Sequence, residues 1–153
     1  MNKDFRFFDS RQKYLLFVTT TNEKSIVAEK ISNQIKNIKP KKPALNILDA
    51  GLGDGTLLMS ILRNCHREFP TIPFLVFGKE ISMEDVRLSI EKLPDRFVEH
   101  PNMVFVVSNL YYSEIASLNS SNSDKQQHIN WEILKLKGSS SFEFSQQLSQ
   151  LDD

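Results

Sequence analysis

Cysteine is nearly absent from this chain: one residue in 153, Cys65. That excludes an internal disulfide and any zinc site built on paired cysteines, and it suits a reducing compartment. Charge of one sign is missing as well, because nineteen Lys and Arg balance nineteen Asp and Glu. No global field therefore draws the chain onto nucleic-acid phosphates or anionic lipid, and nucleic acid is not indicated as a partner. The longest apolar runs, near Pro73–Phe77 and Met103–Val107, are strand-sized and fall far short of the ~20 residues that cross a bilayer. Residues Met1 to Phe8 mix charges with phenylalanine and carry neither the apolar core nor the cleavage site of a secretory signal. The expectation is a cytoplasmic protein without a membrane segment. Histidines number three: His66 on a polar helix face, His100 before a proline, and His128 in a loop, all expected at the surface, so no metal site is expected.

What is present is ordinary globular material, 40% hydrophobic and 25% charged, enough for one domain over 1–153 with an N-terminal extension at 1–21. Ile26, Val27, Ile31, Ile35 and Ile38 recur at helical steps after a cap at Thr21, which predicts a helix over 22–37 lying against a sheet. Lys39-Pro40-Lys41-Lys42-Pro43 breaks it and reads as a solvated connection. Ala44–Leu48 is a short buried strand. The second and third are Phe74–Phe77 and Met103–Val107. Leu58, Ile61, Leu62, Cys65 and Phe69 predict a helix after the first strand, with Cys65 as a buried small apolar residue. Ser82 and Asp85 have the spacing of a helix cap, ahead of an inner face of Val86, Ile90, Leu93 and Phe97 that runs up to Pro101. Ser117–Gln127 is rich in Ser and Asn, and a flexible loop is expected over 117–128. A weaker fourth strand, Ile129–Leu136, precedes a last helix with Phe142, Leu148 and Leu151 as its apolar positions. Strands alternating with helices imply parallel pairing, an α/β fold.

The sharpest punctuation is Asp49-Ala50-Gly51-Leu52-Gly53-Asp54-Gly55, which holds three of the five glycines. A glycine turn between a parallel strand and a helix lets backbone approach a ligand, while the first amides of the helix offer donors to it. The spacing Gly51-x-Gly53-x-Gly55 is shorter than the dinucleotide Gly-x-Gly-x-x-Gly, and no lysine stands where a phosphate loop needs one. Glu80 ends the second strand, 31 residues after Asp49. Its two carboxylate oxygens suit a pair of neighbouring hydroxyl donors.

The run Leu48-Asp49-Ala50-Gly51-Leu52-Gly53-Asp54-Gly55-Thr56-Leu57 resembles the first motif of the class I S-adenosylmethionine-dependent methyltransferases, and Glu80 stands where that family carries the acid that binds the cofactor ribose. Asn130–Gly138 with Ser139–Gln147 is also similar to an uncharacterised bacterial branch of them. The resemblance implies a three-layer Rossmann-like sandwich. Its mostly parallel sheet would have about four strands in the order 3-2-1-4, the N-terminal part of the family's usual seven-stranded fold. It implies S-adenosyl-L-methionine as cofactor, held by Asp49, Gly51, Leu52, Gly53, Gly55, Glu80, Ile81, Ser108 and Asn109, with a methyl acceptor and a general base that remain unknown. Two alternatives stand beside methyl transfer: a non-catalytic S-adenosylmethionine-binding or assembly module, and an NAD-type Rossmann oxidoreductase, which the compact glycine spacing disfavours. An exposed sheet edge would suit a homodimer.

Overall fold

A computed structural model describes residues 13, 16, 20–115, 117–120, 122–126 and 128–152. Most of the expected N-terminal extension, and parts of the expected flexible loop, lie outside those residues. The element order is α1 (Glu23–Ile35), β1 (Leu45–Asp49), α2 (Thr56–Glu68), β2 (Phe74–Lys79), α3 (Met83–Glu91), α4 (Pro94–Glu99), β3 (Met103–Ser108), α5 (Ser123–Gln126) and α6 (Ser141–Leu148), closed by a 3-10 turn over Ser149–Asp152.

The three strands form one open parallel sheet in the order β1-β2-β3. In register, Leu48 stands beside Phe77 and Phe77 beside Val106, while Lys79 stands beside Ser108. The core gathers on one face of the sheet: Leu45, Phe74 and Val76 meet Leu58, Leu62 and Cys65 of α2, together with Leu93 and Leu148. Successive strand residues point to opposite faces. The second face therefore carries Leu48 and Val104, both exposed, with half-buried Leu75, Phe77 and Val106.

Several sequence expectations need correction. The four-stranded order 3-2-1-4 is not formed, because Ile129–Leu136 makes no strand. Its alternation of Trp131 and Ile133 leads into solvent, with Ile133 88% exposed, and the backbone of Lys137 is satisfied in strand fashion by the Gln147 side chain, which donates to its carbonyl and accepts from its amide. That leaves β1 as an edge. α1 packs along α2, and its Ile35 joins the core that Leu45, Phe74 and Val76 supply from the sheet. Ala28 and Ile35 are its buried residues, whereas Ile26 and Ile31 are exposed, and Asn64 of α2 donates to the Ser32 hydroxyl across the contact.

The single helix expected up to Pro101 is two. Pro94 has no amide hydrogen to continue the ladder, so it begins α4 in the first turn, where that amide would be unpaired anyway. In α6 the buried aromatic is Phe144, not Phe142. Its start carries a full capping box, Ser140 with Glu143. The Ser and Asn rich loop holds the one-turn α5, begun by Asn122, whose side chain accepts from the Asp124 amide. Among the described residues no helix is long and apolar enough to cross a membrane.

Candidate functional site: the glycine loop and Glu80

The loop from Asp49 to Thr56 leaves the carboxyl end of β1 and turns into α2. Asp49 begins the turn by accepting from the Gly51 amide at 3.1 Å. Leu52 then dives inward. Its side chain is buried against Gly78, and its amide donates to the Lys79 carbonyl at 3.0 Å, so Leu52 anchors the loop to β2. Gly53 and Gly55 have φ of +51° and +73°, a left-handed backbone that L side chains resist. Gly55 has a second reason to be glycine, because a Cβ there would lie 2.8 Å from Ser89 Cβ on α3. At Gly51 and Gly53, by contrast, an added Cβ meets nothing within 4 Å. These two positions border open space.

Glu80 faces the loop. Its Oε2 accepts from the Gly53 amide at 2.8 Å, and its Oε1 accepts from the amides of Ile81 and Ser82 at 2.8 and 3.0 Å. Partial burial would raise the pKa of this carboxyl. The bonds from Ser82, Ile81 and Gly53, with the Lys79 charge nearby, outweigh that and hold it below the usual carboxylate range. A carboxylate offers about four acceptor positions, so Oε2 retains one beyond its bond to Gly53.

Asp54 makes the tightest electrostatic junction of the site. Lys24 of α1 pairs with its Oδ1. The Lys92 ammonium, just beyond α3, donates to Asp54 Oδ2 at 2.9 Å, to the Asp54 carbonyl at 2.7 Å and to the Thr56 hydroxyl at 2.9 Å. Burial pushes the Asp54 pKa up. The bonds from Lys24, Lys92 and Thr56 win and carry it far below the ordinary range. As a result α3 is fixed to the loop at both ends, by Glu80 beside its Ser82 cap and by Lys92 after its last turn.

The nine residues expected at the cofactor therefore fall into groups. Asp49 and Gly51 are bonded to each other, as are Gly53 and Glu80, and Ile81 follows Glu80, 78% exposed. Leu52 and Gly55 serve the packing beneath. Ser108 sits one strand further out, its carbonyl accepting from the Glu80 amide at 3.1 Å and its hydroxyl from the Leu110 amide, and Asn109 beside it is exposed. Lys24, Asp54 and Lys92 were not singled out by sequence reasoning. Their spacings of 30 and 38 residues carry no local signal.

The histidines also need correction. His100 is not a surface residue: it is 3% exposed and stacks on Phe74 with ring centroids 3.7 Å apart. Its Nε2 lies 2.9 Å from the Ile72 carbonyl, and its Nδ1 lies 3.0 Å from His66 Nδ1. A carbonyl only accepts, so Nε2 of His100 carries the proton. In the neutral ring Nδ1 then accepts, and His66 donates. Burial, and then the His66 charge, lower the His100 pKa against the opposing bond to Ile72. Among the described residues no group of three or more His, Cys, Asp or Glu is placed to hold a metal ion.

Comparison of the chain with protein-family models gives no match. Comparison with curated proteins gives none either.

Proposed function

We propose that the open side of the glycine loop, beside Glu80, binds the adenosyl moiety of S-adenosyl-L-methionine, and that the chain is a methyltransferase acting on an acceptor still to be found. The observation that carries this reading is the Glu80 carboxylate standing across from the Gly53 amide, with open space over Gly51 and Gly53. The one acceptor position left on Oε2 suits a ribose hydroxyl, and exposed Ile81 offers an apolar surface to an adenine face. Asp49 is already turned onto Gly51, which leaves its second oxygen for an ammonium. A bound S-adenosylmethionine supplies an electrophilic methyl group on a sulfonium, so the protein's task is to align it with an acceptor lone pair and exclude water. The single buried cysteine and balanced charge suit the cytoplasm as its place of action.

Titration calorimetry with S-adenosylmethionine, S-adenosylhomocysteine and NAD tests the ligand class. Saturable heat is expected with the first two alone, weakened by about 1–3 kcal/mol in Glu80→Ala. Heat with NAD alone would overturn the reading in favour of a dinucleotide site. Transfer of radiolabelled methyl into cell-extract components then separates an enzyme from a binding module, since a binding module would take up the cofactor and label nothing.

A further inference from the structure

Lys79, the last residue of β2, is only 8% exposed. Strand alternation places its side chain on the second face of the sheet, with Leu75 and Phe77 and away from the α2 core. Its aliphatic stem is covered, while its Nζ still reaches solvent. Here its neighbour is the face of Tyr112, 5.2 Å from the ring centroid. The carboxylates of the rim are engaged elsewhere: Asp49 with Gly51, Asp54 with Lys24 and Lys92, and Glu80 with the amides of Gly53, Ile81 and Ser82. Among the described residues no carboxylate pairs with Lys79.

The register places a second donor beside it. Ser108 stands beside Lys79 and projects from the same face, and its hydroxyl already accepts from the Leu110 amide, which leaves its own O–H to donate. One step back along the strands, Leu48, Phe77 and Val106 form an apolar row across the sheet, with Leu48 56% exposed. Two hydrogen-bond donors ahead of an apolar floor match a ligand with an anionic oxygen group at one end and an apolar body behind it.

We propose that Lys79 and Ser108 form an anion-accepting subsite on the second face of the sheet, for a small molecule bearing a carboxylate or phosphate on an apolar body. The subsite stands on its own geometry. If the adenosyl reading above also holds, the Leu52 amide bonded to the Lys79 carbonyl makes it neighbour to the cofactor loop, and its occupant is the acceptor.

The test titrates the full chain, with no adenosyl ligand present, against benzoate, phenyl phosphate and the neutral isostere benzamide, following lysine Cε resonances by NMR. Saturable shifts at Lys79 are expected with benzoate or phenyl phosphate, whichever is tighter marking the anion class, and at least tenfold weaker binding of benzamide. Lys79→Met should abolish the anion preference, Lys79→Arg should retain it, and Ser108→Ala, which keeps the buried lysine should Lys79→Met fail to fold, should weaken it severalfold. Equal binding of benzoate and benzamide, no binding of any probe, or an anion preference unchanged in Ser108→Ala would overturn the proposal. Because no adenosyl ligand is used, this result and that of the calorimetry fail independently.

Discussion

Replacing each loop glycine by alanine separates the residues that shape the turn from those that only border open space. At Gly51 the φ is not left-handed and an added methyl meets nothing within 4 Å, so Gly51→Ala should be neutral or stabilise by about 0.4–1 kcal/mol, by restricting the unfolded chain. Gly53→Ala adds backbone strain at φ +51° without a clash, a cost of about 1–3 kcal/mol. Gly55→Ala adds the same strain and a methyl 2.8 Å from Ser89 Cβ and 3.1 Å from its Cα, contributing about 1–3 kcal/mol more by overpacking. The combined loss of about 2–6 kcal/mol corresponds to a fall in Tm of roughly 5–20 °C for a domain of this size. Urea unfolding of the three variants, followed by circular dichroism, should therefore rank them Gly51, Gly53, Gly55 in rising cost. Removing the Ser89 side chain in Gly55→Ala/Ser89→Gly should restore part of the loss relative to Ser89→Gly alone. If Gly55→Ala is as stable as Gly51→Ala, or if Ser89→Gly restores nothing, the described approach of α3 to the loop is wrong.

Asp54→Asn should leave Lys24 and Lys92 facing each other without their shared carboxylate, at a cost of about 1–3 kcal/mol that shrinks in high salt; equilibrium unfolding at two ionic strengths reads both effects. His100, whose pKa is lowered by burial from an ordinary 6.5, stays neutral in the fold while the unfolded chain takes up a proton. Its contribution is thus complete above about pH 6.5 and is lost as the pH falls below that value, and the slope of stability against pH in that window should flatten in His100→Phe. Cys65 is buried, and its thiol pKa is pushed up to about 11. Alkylation by iodoacetamide at neutral pH should therefore track global unfolding, and rapid labelling of the native protein would contradict its placement in the α2 core.

The strand, glycine turn and helix were legible because they are local: an apolar run, a cluster of small residues and a helical period follow within about twenty-five positions. Glu80 was marked by its position at the second strand's carboxyl end and by the family resemblance, and parallel pairing of β1 and β2 brings it to the Gly53 amide. The features that escaped depend on partners far away in sequence. Ile129–Leu136 has the alternation of a strand, but a strand exists only with something to pair with, and Gln147 takes that part for Lys137 alone. His100 gave no sign of burial because its polar atoms are matched by Ile72 and His66, 28 and 34 residues away. The period through Val86, Ile90, Leu93 and Phe97 was right about the buried side and silent about the break, which Pro94 imposes through its missing donor.

Because α3 is gripped by the loop at both ends, its length is a ruler. One residue added or removed within Met83–Glu91 would turn everything after it by about 100°, swinging the Lys92 ammonium off Asp54 while Glu80 stayed in place. The number of residues between the two grips is thereby set.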